Sequence, residues 1–138
     1  MLITFVNDWA MSSKSPHISE AEAHVMEVLW HAPHPVVAEQ IVAALAQTQL
    51  WQAATVKTLL NRLLNKGAIS AEKDGRRFLY QAVLQRDAWL ARESDTMLQR
   101  LFGGRLAPLV AHFGSQHKLS AADVQELRKL IDKFDDDK

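Results

Sequence analysis

Thr55, Lys57, Thr58, Asn61, Arg62 and Asn65 follow one another at a spacing that brings them to one side of a helix. Their chemistry suits flat polar edges and anions. An Arg or Lys can grip two neighbouring acceptors such as guanine O6 and N7, and an Asn amide matches the donor and acceptor of adenine. A Thr offers a hydroxyl to phosphate and a methyl to thymine. Lys57 and Arg62 are therefore candidates for guanine, Asn61 for adenine, and Thr55 and Thr58 for phosphate or thymine. A second basic group, Lys73, Arg76 and Arg77, surrounds Asp74-Gly75 and suits flanking phosphates or a minor groove.

Other chemistry is sparse. The 138 residues include no cysteine, which excludes disulfides, thiolate zinc sites, iron-sulfur clusters and a cysteine nucleophile. His24, Glu27 and His31 share a helix face, but His34, His112 and His117 lie in unrelated segments, and no metal site or cofactor is expected. There is no Gly-x-Ser-x-Gly elbow, phosphate-binding glycine loop or His-Glu-x-x-His, so an enzyme is not expected. Trp30, Trp51 and Trp89 are read as core or interface fillers.

The candidate residues sit on elements that the pattern predicts. Ser19-Glu20-Ala21-Glu22 is a capping box that opens a first helix, with Val25, Met26, Val28 and Leu29 as its apolar face and Pro33 and Pro35 beyond its end. Residues 36 to about 47 predict a second helix, with Val37, Ile41, Ala44 and Leu45 on one side. A third runs from about 54 to 66. Its Val56, Leu59, Leu60, Leu63 and Leu64 form a buried stripe opposite the polar face, and Gly67 stops it. Residues 69–73 and 76–83 predict two strands joined by Asp74-Gly75, with Ile69, Ala71, Phe78 and Tyr80 facing inward. The expected fold is mainly α with a small β-hairpin, a winged helix-turn-helix followed by a C-terminal helical region. In such a module the third helix enters the major groove.

Charge is concentrated in the same place. Lys plus Arg and Asp plus Glu each number 16, yet residues 54–86 hold seven bases against two acids. Residues 1–53 hold one base against five acids. The net +5 of the middle segment supplies a local field for a polyanion, whereas the chain as a whole is neutral. An alternative occupant is an acidic protein, with the same helix and wing acting as an interaction module.

From residue 87 the pattern is helical again. Met97, Leu98, Leu101 and Phe102 precede Gly103-Gly104, a second piece covers about 105–113 with Leu109 and Phe113, and a Ser120 cap opens a third with Val124, Leu127, Leu130 and Ile131. These apolar positions are too few to close a core and predict a homodimer interface. The expected division is a flexible arm over 1–17, a DNA-binding domain over 18–85, a dimerisation region over 86–134 and an acidic tail over 135–138. No apolar stretch approaches a membrane span, and no signal peptide is evident, which predicts a cytoplasmic protein without membrane insertion.

Ile18-Ser19-Glu20-Ala21-Glu22, Val25 to Trp30, Thr55-Val56-Lys57-Thr58-Leu59-Leu60-Asn61-Arg62-Leu63 and Lys66-Gly67 together resemble the penicillinase-repressor family, also called BlaI/MecI/CopY. The resemblance continues through Gly75 to Tyr80, Leu101-Phe102-Gly103-Gly104 and Leu127 to Leu130, and covers roughly residues 18–134. It implies a dimeric winged-helix repressor whose recognition helices read a palindromic operator in double-stranded DNA. Copper-responsive members carry paired C-terminal cysteines, which this chain lacks. Other members are cut by a membrane sensor protease at an Asn-Phe bond, and the matching pair here is His112-Phe113, which leaves such a protease open as a partner. Where the family carries tryptophan at position 23 this chain has Ala23, with Trp51 or Trp9 as candidates to fill the space.

Overall fold

The computed structural model describes residues 15–137. The chain divides between Arg92 and Glu93 into two compact units. The first contains α1 (Glu20–His31), β1 (Val36–Val37), α2 (Ala38–Thr48), α3 (Ala53–Lys66), β2 (Ile69–Asp74), β3 (Arg77–Ala82) and the start of α4 (Arg86–Phe102). The second contains the rest of α4, then α5 (Leu106–Ser115) and α6 (Ala121–Asp136).

Local chemistry sets the helix ends. Ser19 caps α1: its hydroxyl accepts from the Glu22 N–H at 3.1 Å, and the Glu22 carboxylate accepts from the Ser19 N–H at 2.8 Å. Gly67 ends α3 at φ 76°, a left-handed position that a side chain would strain. Between them lies the core, in which Val25, Met26, Ile41, Val56, Leu63, Ala68 and Leu84 are wholly buried. The predicted apolar stripe of α3 is the part that is buried, except that Leu64 is only half-buried.

The second helix begins later than the pattern predicts. Val36 and Val37 form a strand that pairs antiparallel with β3, Val36 opposite Tyr80 and Val37 opposite Leu79, so the expected hairpin is a three-stranded sheet in the order β1-β3-β2. The prolines hold the preceding chain extended, and two buried β-branched residues fit a pleated surface better than a helix start. Gln40 then accepts from the Val37 N–H at 3.3 Å, one of the free donors at the start of α2.

The hairpin turn is shifted by one residue from its expected place. Asp74 pairs with Arg77, so Gly75, at φ 65°, and Arg76 make the two-residue turn, and Arg76 is not part of a strand. The inward alternation holds for Ile69, Tyr80 and Ala82, which meet the core. Ala71 and Phe78 lie in the same register but are exposed, because the hairpin extends beyond the helices that cover its base.

Three expected boundaries move. Ser15 and Ile18 are buried, and the Lys66 ammonium donates to the His17 carbonyl at 2.9 Å, so the end of the expected arm is held in place. Residues 1–14, including Trp9, lie outside the described residues. The first unit continues to Arg92 and does not stop at residue 85, because the Trp89 ring packs 5.2 Å from Trp30, whose indole donates to the Leu84 carbonyl at 2.7 Å. Asp135 and Asp136 of the expected acidic tail belong to α6, which runs through Asp136.

In the second unit, Ser120 caps α6 by accepting from the Asp123 N–H at 3.0 Å. None of the described residues of this unit is fully buried. Among the described residues, no helix is long and apolar enough to cross a membrane.

Candidate nucleic-acid interface

α3 carries three bases and no acid. One of the three, Lys66, is engaged by the Glu22 carboxylate and the His17 carbonyl, which leaves Lys57 and Arg62 as the outward charges. Thr55, Lys57, Thr58, Asn61, Arg62 and Asn65 are all exposed, directly opposite the buried Val56, Leu59, Leu60 and Leu63. Within the described residues, the Lys57 and Arg62 side chains take part in no ion pair.

Of the two contacts expected of Thr58, the structure favours the methyl over the hydroxyl. Its hydroxyl donates to the Ala54 carbonyl at 3.0 Å, so its proton is used within the helix and the methyl is left to face outward chemistry. Leu50, at φ 58° and 85% exposed, closes the turn between α2 and α3.

On the wing, Lys73, Arg76 and Arg77 are exposed. Arg77 faces Asp74 across the ladder, whereas Arg76 occupies the turn itself and Lys73 faces Phe78. Arg76, Arg77, Phe78 and Tyr80 line a shallow cleft against Ala38 and Glu39 at the start of α2. Phe78, expected to face inward, is exposed, because alternation gives a face but not the point at which the core ends.

The histidines are engaged separately from one another. His31 Nδ1 lies 2.7 Å from the Glu27 carbonyl and 3.4 Å from its carboxylate, which also receives Arg86 Nε at 3.3 Å. His24 instead meets Trp51 edge-on at 5.7 Å, beside Ala23 where the family resemblance leads one to expect a tryptophan. Among the described residues, no three His, Asp or Glu side chains are grouped to hold a metal ion.

In the second unit, Met97, Leu98, Phe102, Leu109, Val124 and Leu127 are half-buried, while Leu101, Phe113, Leu130 and Ile131 are exposed. Leu106 and Phe134, at 65% and 60%, extend the exposed apolar set beyond the sequence expectation. His112 and Phe113 stand on the α5 surface, the imidazole packed 6.1 Å from Phe102.

Comparison with known proteins fits this arrangement. The family model described as penicillinase repressor matches residues 18–133. The chain belongs to the penicillinase-repressor family. Its match spans both compact units of this family member, and so covers the wing and the C-terminal helices together. The chain is 31% identical over 119 residues to the penicillinase repressor of Bacillus licheniformis, covering 86% of this chain and 92% of that protein. It is 28% identical over 123 residues to the methicillin resistance regulatory protein MecI of Mammaliicoccus sciuri, covering 89% and 99%. Its fold is similar to the solution structure of the DNA binding domain of the repressor BlaI, with a TM-score of 0.50 and 35% identity over 54% of this chain and 90% of that one.

Proposed function

We propose that this penicillinase-repressor family member is a DNA-binding transcriptional repressor, active in the cytoplasm as a homodimer on a pseudo-palindromic operator. The observation that carries the reading is α3: one face fills the core, and the other offers Thr55, Lys57, Asn61 and Arg62 outward without an acid among them. That is the layout of a helix seated in a major groove, with Arg76 and Lys73 reaching phosphates beside it. The likeness to the BlaI DNA binding domain supports the same reading.

The second unit pairs with that of another copy. Leu101, Leu106, Phe113, Leu130, Ile131 and Phe134 are apolar and exposed, and covering them in a dimer removes that surface from water. Pairing makes the second half-site an intramolecular event, and repression follows from occlusion of the promoter. Cleavage at His112-Phe113 by a membrane sensor protease would require α5 to open first, because a protease takes its substrate extended and this bond lies inside the helix.

The test is selection of bound duplexes from a random pool by the full chain, at salt concentrations of about 50 and 200 mM. A pseudo-palindromic winner whose affinity falls by roughly 10³ to 10⁵ over that range supports the reading. Lack of enrichment at both salts overturns it and moves attention to an acidic protein partner.

A further inference from the structure

The two faces of the wing differ. One carries Glu72, Asp74 and Arg77, a mixture in which the arginine stands directly opposite an acid. The other carries Lys73 opposite Phe78 and Ala71 opposite Tyr80, and neither strand contributes an acid to that face. Tyr80 packs against the core, but Phe78 lies beyond it, 48% exposed, and its large ring has no counterpart within the first unit's core. An apolar ring held at the surface beside Lys73, Arg76 and Arg77 suits a surface that meets DNA. Glu39 lines the same cleft as Phe78, which disfavours a phosphate seated there and leaves the ring to the sugar edges between phosphates.

We infer that Phe78 is a specificity-determining residue of the wing, laying its ring against deoxyriboses in the minor groove beside each half-site while Lys73 and Arg76 hold the flanking phosphates. The inference rests on the DNA-binding reading above. The contact senses groove width and not base identity. A narrow A·T-rich groove brings both walls to the ring, whereas a wide G·C-rich groove does not.

The test uses the full chain and the duplex recovered by random-pool selection, rebuilt in two versions that share both half-sites. One has A·T tracts outside them and the other G·C runs. The parent protein is expected to prefer the A·T version. Phe78→Ala should lose about tenfold in affinity on that version, the gain expected from burying half a phenyl ring, and the preference between versions should fall towards one. Its dependence on salt should stay that of the parent, because no charge is removed. Phe78→Leu, which keeps apolar bulk in a half-exposed position, should fall between the two. Retention of the parent's preference by Phe78→Ala, or an equal loss on both versions by both variants, overturns the inference while leaving the repressor reading intact. A parent chain that binds neither version overturns both.

Discussion

Lys66, in the last turn of α3, and Glu22, in the first turn of α1, form an ion pair that ties the end of α3 to a capped helix start. Glu22 is 1% exposed, and one of its oxygens also accepts from the Ser19 N–H. The same ammonium reaches the His17 carbonyl, so a single side chain joins three points of the fold. Burial pushes the Glu22 carboxyl up, but the hydrogen bonds from Lys66 and Ser19 and the Lys66 charge together outweigh it and hold it below its ordinary value.

A carboxyl depressed in the folded state contributes stability that is fully present above its unfolded pKa, about 4.3, and is lost as pH falls through the lower folded value. The melting temperature of the parent chain should therefore drop as pH falls below about 4.3. Glu22→Gln should start lower at neutral pH and show a flatter acid limb. Thermal melts at fixed protein concentration between pH 7 and pH 2.5 check this.

Lys66→Met leaves the buried carboxylate without its counter-charge. Because the Lys66 side chain is 34% exposed, the cost should be about 2 kcal/mol, below the range for a fully buried pair. Urea unfolding monitored by circular dichroism measures it.

Arg62 and Arg76 should separate by the kind of loss. Arg62→Ala should cost roughly 1 to 3 kcal/mol and relax one position in each half-site, if its fork reads guanine. Arg76→Ala should weaken all sequences alike and reduce the salt slope by about one unit. Selection and salt titration on the two variants distinguish these outcomes, and identical base preferences would remove Arg62 from the reading helix face.

Trp30→Phe keeps most of the ring against Trp89 but deletes the donor to the Leu84 carbonyl, a 2.7 Å bond to a residue that is itself wholly buried. A loss of about 1 kcal/mol in stability is expected, with DNA specificity unchanged. Unfolding curves and a repeat of the selection read the two quantities separately.

Leu101→Lys combined with Ile131→Lys adds charge at two exposed apolar positions of the second unit. Sedimentation should shift from dimer to monomer. Affinity for a full operator should drop roughly 10²- to 10⁴-fold while affinity for one half-site is kept. Unchanged sedimentation would place the dimer contact elsewhere.

Periodicity carried most of the fold. The α3 stripe, the Ser19 and Ser120 caps and the Gly67 stop are local patterns, and each is present in the structure. β1 was not legible, because two valines show no alternation and gain their strand geometry only from Tyr80 and Leu79, far along the chain. The Glu22–Lys66 pair spans 44 residues and leaves no local mark. Phe78 and Ala71 share the inward register with Tyr80, yet how far the core extends under a hairpin depends on the helices above it. The outward face of α3 was legible because one helix must hide its stripe and thereby expose the opposite side.

In the proposed complex two copies of α3 enter the major groove of one operator. Methylation interference at guanine N7, which lies in that groove, tests it on the duplex recovered by selection. Interference is expected in two clusters whose centres lie about 10 to 10.5 base pairs, or a multiple, apart, with guanines in each cluster losing their effect in Arg62→Ala. A single cluster, or binding that tolerates methylation at every guanine, would contradict it.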